Sequence, residues 1–296
     1  MDDTLQQALR RGTEAGGRYA LVMPREAGTH SSGMRTGMRA GRSLDFRDYR
    51  DYHPGDDLRW VDWNVFARTD KLTVKLFQEE VCPHADIVID NSRSMALAGT
   101  RKLEAAAGLA AMLAIAAANA RFTLSVWSCR EALVKLPGDP SQPATWQTLA
   151  FDSRLTLAEA LRLQPPALKR RGLRFLVSDL LWPGEPTDVL QRLGDNAAAM
   201  HIIHLLATDD VTPPEHGFVR VVDAETAEEL DIFYDDAARQ RYADAFGRHV
   251  QDWSDACRKA HVTLTRFVAE EFVRTWTLDP LLAAHAETNA GIVEGV

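Results

Sequence analysis

One carboxylate and two hydroxyls lie within five residues of one another in the stretch Ala85-Asp86-Ile87-Val88-Ile89-Asp90-Asn91-Ser92-Arg93-Ser94-Met95. A short apolar run ends in Asp90, and the hydroxyls of Ser92 and Ser94 follow at alternate positions. One carboxylate and two hydroxyls on a single turn are hard, oxygen-only ligands of the kind that suits Mg²⁺ or Mn²⁺. The plainer alternative is a strand-to-turn junction whose Asp and Ser only bond backbone amides. A metal site needs further oxygens from other strand ends on the same sheet edge. Phe175-Leu176-Val177-Ser178-Asp179 is a second apolar run ending in an aspartate, so Asp179 is expected to face the crevice of Asp90. Thr156 offers a third hydroxyl, although Thr156 and Glu159 also spell a T-x-x-E capping box.

Hydrolysis would need a placed base as well. His53 falls in a turn and His84 just before the first sheet strand. His201 and His204, three apart on one predicted strand, point to opposite faces and do not form a chelating pair. No G-x-S-x-G elbow, HExxH or P-loop occurs. Arg93 could steady an anion, but a solvated arginine is the plainer reading.

These residues need a sheet to place them. Ile87, Val88 and Ile89 are β-branched and apolar on both faces, as in a central parallel strand. Downstream, the pattern predicts a helix over 101–119, a strand over 121–127 with a hairpin partner at 132–136, and a helix over 157–163. It continues with a strand over 174–178, a helix over 187–196 and a strand over 200–207. A hairpin around 219–222 and 230–233, a long helix over 235–260 and a strand over 262–268 complete it. Strands alternating with helices predict an α/β fold, a mainly parallel sheet covered on both faces. Upstream, residues 1–20 read as an amphipathic helix, Gly28–Gly41 as a loop and Lys71–Glu79 as a strand. The end, from about Asp279, reads as a short helical piece and a mobile tail.

Composition narrows the function classes. The chain has 296 residues, 46% apolar and 26% charged, with a net charge of −8. No long basic stripe is visible, which disfavours nucleic acid as a partner. The acidic balance is concentrated in 207–256, a solvated surface or a patch for a basic partner. Three scattered cysteines, Cys82, Cys129 and Cys257, fit neither a disulfide framework nor a zinc finger, so a reducing cytoplasm is expected. The acidic start has no signal-peptide pattern. The apolar run Ala105–Ala118 is too short to span a bilayer and is expected to be a buried helix, so no membrane insertion is expected.

The segment Asp45–Asp70 interleaves aromatics with both signs of charge. One reading makes it a docking surface. The favoured one is structural: Arg59, Asp62 and Arg68 pair with Asp48 and Asp56 while Trp60, Trp63 and Phe66 cover a sheet edge.

With these residues in view, two resemblances emerge. D-x-S-x-S after a first strand, a loop threonine and a strand-end aspartate resemble the metal-ion-dependent adhesion site (MIDAS) of von Willebrand factor A domains. Asp45-Phe46-Arg47-Asp48-Tyr49-Arg50-Asp51-Tyr52-His53-Pro54-Gly55-Asp56-Asp57, with Arg59, Asp62-Trp63, Ala67-Arg68-Thr69 and Lys71-Leu72, resembles the hallmark of the bacterial DUF58 family. The pattern runs from about Gly37 to Met95, and Val222-Asp223-Ala224-Glu225-Thr226 resembles the family's late hairpin. The resemblance implies a von Willebrand A-like domain over about 83–270, a family-specific segment over 1–82 packed on it, and a tail over 271–296. It implies Mg²⁺ or Mn²⁺ held by Asp90, Ser92, Ser94, Thr156 and Asp179. Arg47, Tyr49, Tyr52, Pro54, Gly55, Asp56, Arg59, Asp62, Trp63 and Arg68 would form the family motif. The chain departs from the adhesion pattern in two places. Thr156 follows Ser153-Arg154-Leu155 instead of glycines, and Leu180 follows Asp179 where many adhesion domains carry glycine.

The expected function is metal-dependent protein–protein interaction in the cytoplasm, without catalysis. The partner implied by the resemblance is a MoxR-type AAA+ ATPase, a client protein, or both, in protein maturation or remodelling. The alternatives are a divalent-metal hydrolase using Asp90 and Asp179, and a scaffold with a vestigial site.

Overall fold

The computed structural model describes residues 3–24, 44–79, 83–129, 132–212, 217–224, 228–288 and 291–294. They divide into two compact units, a smaller one over Ala27–Cys82 and a larger one comprising Met1–Glu26 with Pro83–Val296. The predicted Gly28–Gly41 loop and Cys82 lie outside the described residues.

The chain opens with helix α1 (Asp3–Gly16) and strand β1 (Tyr19–Val22), both in the larger unit. The smaller unit pairs β2 (Leu44–Asp51) with β3 (Thr73–Glu79), antiparallel, with a register shift between Phe46 and Asp48. Between them lies the short helix α2 (Trp63–Thr69), whose first turn is capped by the Asp62 carboxylate.

The larger unit resumes with β4 (His84–Asp90), α3 (Lys102–Asn119), β5 (Thr123–Cys129) and β6 (Leu133–Lys135). Next come α4 (Leu157–Leu163), β7 (Leu173–Ser178), α5 (Pro186–Gly194), β8 (Ala199–Leu206) and a single turn, α6 (Thr208–Val211). The hairpin β9 (Gly217–Val222) and β10 (Glu229–Tyr234) leads to α7 (Asp236–Lys259) and β11 (Thr263–Val268). Then α8 (Ala269–Thr275), α9 (Asp279–Thr288) and β12 (Gly291–Glu294) follow. The main sheet has six strands in the order β11-β8-β7-β4-β5-β6, all parallel except the short edge strand β6. This is the α/β architecture that the alternating pattern predicts.

Burial on both sides explains the apolar strands. Ile87, Ile89, Phe175, Val177, Ile203 and Leu205 belong to one core, shared with α1, α3 and α8. Val88, Leu176 and Ile202 belong to the other, shared with α4, α5 and α7. Helix α3 is apolar nearly all round because it is buried nearly all round, as a core helix should be. Among the described residues it is the one helix long and apolar enough to cross a membrane, and most of it is packed inside the unit. Its alanines and Gly108 let neighbours approach closely: a Cβ on Gly12 of α1 would stand 2.5 Å from the Gly108 carbonyl oxygen. A Cβ on Gly108 would stand 2.5 Å from Cζ3 of Trp276.

The ends of the chain are more ordered than the sequence suggests. β12 pairs antiparallel with β1, Tyr19 opposite Glu294 and Leu21 opposite Ile292. Four-residue strands carry little periodicity of their own, and this pair is fixed by burial of Tyr19, Leu21 and Ile292 in the core of α3.

Candidate functional site at the carboxyl edge of the sheet

β4 and β7 are adjacent and parallel, so Asp90 and Asp179 leave the same edge of the sheet side by side. Asp90 is fully buried. One of its oxygens accepts the Ser92 backbone N–H at 3.1 Å, and the other accepts the Ser178 hydroxyl at 2.6 Å. Burial, and then the nearby charge of Asp179, push its carboxyl up to about 6. The hydroxyls of Ser92 and Ser94 lie 3.0 Å apart on the turn that follows. That turn is tied to the loop before α4, where the Ser153 N–H donates to the Asn91 carbonyl and Ser92 bridges Ser153. Asp90, Ser92, Ser94 and Asp179 therefore come together at the carboxyl ends of β4 and β7, with Asp90, Ser92 and Asp179 buried.

Thr156 has a different engagement. It is the N-cap of α4: its hydroxyl accepts the Glu159 N–H at 3.3 Å and donates to the Glu159 carboxylate at 2.9 Å. The Glu159 carboxylate also accepts the Thr156 N–H, which completes the capping box.

The turn after β7 stores strain. Leu180 adopts a φ of 56°, the left-handed conformation that glycine takes most easily. Three bonds hold it there. Ser178 Oγ accepts the Leu180 N–H, Asp179 Oδ1 accepts the Leu181 N–H, and His249 Nε2 bonds the Leu180 carbonyl at 2.9 Å. Leu180 thus holds a glycine-like backbone without being a glycine. Its side chain is fully buried against α4, α5 and α7, which offsets a strain of about 1–3 kcal/mol.

Sequence reasoning missed Lys102. This lysine opens α3 with its side chain buried, and its ammonium sits 2.9 Å from Asp179 Oδ2 and 3.4 Å from Asp210 of α6. Burial alone would lower its pKa, but the carboxylates of Asp179 and Asp210 outweigh burial and raise it, so the ammonium stays charged. A faint signal was present in the sequence: a cation at the first turn of a helix opposes the helix dipole and needs a specific anion. Lys102 thus brings one positive charge to a cluster of three carboxyl groups, Asp90, Asp179 and Asp210. The residual charge and the hard-oxygen donors fit a small divalent cation. Among the described residues, no group of three or more His, Cys, Asp or Glu side chains could hold a metal. The candidate set has two carboxylates, and serines supply its other oxygens.

His201 and His204 are both buried and separate as expected. His201 stacks on Phe175, with ring centroids 5.2 Å apart, on the α3 side. His204 shares its strand face with Met200 and Ile202. Desolvation lowers both imidazoles to about 4, so they are neutral. At the opposite end of β4, His84 bonds Thr123 and Asp86, and Trp127 donates to Asp86 at 2.9 Å, a polar cluster within the fold.

The motif residues lie in the smaller unit. Pro54 and Gly55 make the turn, with Gly55 at a φ of 107°. Arg50 holds Asp56 through two bonds of 2.7 Å, which lowers the Asp56 carboxyl to about 2. Arg59 turns to Asp57, and Asp62 accepts Lys75 and Tyr49, each at 3.1 Å. The pairing read from the sequence is therefore corrected: Arg50 rather than Arg59 holds Asp56, because both flank one tight turn. The Tyr52 N–H bonds the Leu72 carbonyl, extending the β2–β3 pairing, and Arg47 lies on β2. Trp63 and Arg68 are exposed on α2, and Trp63 meets Phe66 edge-to-face.

A family model described as "Protein of unknown function DUF58" matches residues 48–252. An uncharacterized protein of Mycobacterium tuberculosis (strain ATCC 25618 / H37Rv) is 27% identical over 259 residues, covering 82% of this chain and 79% of its own. An uncharacterized protein of Mycobacterium bovis matches equally. Two solved structures share 8–9% identity with this chain. One is the conserved hypothetical protein BatB from Bacteroides thetaiotaomicron, with a TM-score of 0.37 over 69% of this chain and 99% of that one. The other is an aerotolerance-related membrane protein from Bacteroides fragilis, with a TM-score of 0.36 over 70% of this chain and 96% of that one. With the motif of the smaller unit and most of the α/β unit inside the matched span, the chain belongs to the DUF58 family.

Proposed function

We propose that this protein is a metal-dependent protein–protein interaction module of von Willebrand A-like type, and that it binds without catalysing a reaction. The observation that carries the proposal is the meeting of Asp90 and Asp179 with the Ser92 and Ser94 hydroxyls at the carboxyl ends of two adjacent strands. The sheet order supports the adhesion-like fold, with the first strand of the sheet (β4) central and a short antiparallel strand at one edge.

Asp90, Ser92, Ser94 and Asp179 would hold Mg²⁺ or Mn²⁺, which when bound would offer an open coordination position to a partner's carboxylate. Ser178 orients the Asp90 carboxylate, and Lys102 holds Asp179 and neutralises part of its charge. Exposed Leu97, Leu181 and Val211, each just beyond a candidate-site element, supply apolar contact for a docked protein. The histidines that the structure places by Asp179 support binding over hydrolysis. His204 is buried, and His249 is engaged with the Leu180 carbonyl. The proposed partner is a MoxR-type AAA+ ATPase or its client, in the cytoplasm.

The test is calorimetric titration of Mg²⁺ and Mn²⁺ into wild type and Asp90→Ala, followed by pulldown with a purified ATPase in Mg²⁺ and in EDTA. Retention that needs both the metal and Asp90 supports the proposal. Retention indifferent to both overturns it.

A further inference from the structure

The β9–β10 hairpin forms a two-stranded ribbon separate from the six-stranded sheet. Its base is anchored. Tyr234 is buried, and the Tyr242 hydroxyl of α7 donates to the carbonyl of Asp210, the residue whose carboxylate reaches Lys102. The ribbon therefore rises from the same edge of the fold as Asp90 and Asp179. Its far part is open to solvent. Phe218 is 88% exposed, Leu230 63% and Phe233 57%.

The register places Phe218 opposite Phe233 on one face and Val221 opposite Leu230 on the other, so both faces carry exposed apolar groups. The two phenyl rings meet edge-to-face at 5.0 Å, a preorganised aromatic pair. An isolated two-stranded hairpin is marginal in water, and a clustered apolar surface of this kind marks an interaction site.

Charge decides what covers it. Between Ala207 and Asp236 the sequence has ten carboxylates and a single basic side chain other than histidine, Arg220. Arg220 is itself held across the strands by Asp231 at 2.7 Å and Glu229 at 3.3 Å. A second copy would bring two such acidic surfaces together, and an anionic membrane would repel one. We propose that the hairpin is a docking finger for a different protein, one presenting an apolar surface bordered by lysine and arginine. This finger acts without a cation at Asp90 and stands or falls separately from the metal site.

The test uses the purified full chain and two synthetic amphipathic helices as probes, one with leucine and lysine faces and one with leucine and glutamate faces. Anisotropy titrations compare wild type, the pair Phe218→Ser/Leu230→Ser, and a control pair at exposed apolar positions elsewhere, Val134→Ser/Leu163→Ser. All four side chains are exposed, so unchanged melting curves are expected and are checked first. The lysine helix should bind wild type and the control pair alike, lose about tenfold in affinity on the hairpin pair, and weaken with added salt. Absence of binding, equal binding by the glutamate helix, or equal loss in the control pair overturns the proposal. Sedimentation and flotation with anionic vesicles complete the set. Self-association or vesicle binding that disappears in the hairpin variant assigns the finger to a second copy or to a membrane, and likewise overturns it.

Discussion

Replacing Lys102 by methionine keeps the length and packing of the side chain and removes one charge. The residue is 1% exposed, and its ammonium lies 2.9 Å from Asp179 and 3.4 Å from Asp210. Breaking a buried pair by removing one partner costs about 3–5 kcal/mol, because the remaining charge is left uncompensated. Here two carboxylates lose their cation together, and Asp90 is close enough to add repulsion. A loss of about 4 kcal/mol is therefore expected, a fall in melting temperature on the order of 10 °C for a unit of this size. A divalent cation should restore much of that loss in the variant, since it supplies the charge that the lysine carried. The same change should tighten Mg²⁺ binding by at least about tenfold, because a competing positive charge has left the site. Urea melts in EDTA and in Mg²⁺, with calorimetry on both proteins, read all three effects. A loss below about 1 kcal/mol would refute the reasoning, since Lys102 would then not be neutralising the crevice. Full stability loss without Mg²⁺ rescue would leave Lys102 as a structural cation and remove the divalent site from consideration.

Other consequences are simpler to measure. Thr156→Ala should cost about 1 kcal/mol through loss of the α4 cap and leave Mg²⁺ affinity unchanged; a tenfold weaker calorimetric affinity would instead make Thr156 a ligand. Gly108→Ala should destabilise by about 1–3 kcal/mol in a urea melt, because the new methyl group meets Trp276; a neutral result would mean the α3 contacts are loose. His201 titrates at about 4 when folded and near 6.5 when unfolded, so the unfolded chain takes up the proton first. Its contribution is complete above about pH 6.5 and is lost as pH falls toward 4, to a limit on the order of 3 kcal/mol. His201→Phe should therefore flatten the fall in stability between pH 7 and pH 5, and an unchanged slope would contradict this.

The main sheet was legible because parallel strands buried on both faces write continuous apolar runs into the sequence. Val88 and Ile89 need no tertiary information to be read as strand, and neither do Leu176 and Val177. The strand-end aspartates were legible for the same reason, since Asp90 follows such a run directly and Asp179 follows one after a single serine. Lys102 was not, because a lysine beside alanines reads as a solvated helix end until Asp179 and Asp210, 77 and 108 residues away, are placed next to it. The ion pairs around the Pro54-Gly55 turn were half legible. Their residue types were evident, but which arginine meets which aspartate depends on backbone geometry that spacing does not encode. The β1–β12 pair left no local signal, since four residues are too few to show a period.

That pair also bears on the order in which the larger unit can close. β1 precedes every strand of the main sheet in the sequence, and its partner β12 follows all of them. The closing contact therefore spans almost the whole chain, the slowest kind to form. Until β12 is made, Tyr19 and Leu21 have no strand to pair with, and α1 packs on α3 beside an open edge. A product that stops before β12 keeps that edge exposed, a template for aggregation and an entry point for proteases. β12 thus seals the edge that β1 opens, and this edge of the larger unit closes only when both strands are present.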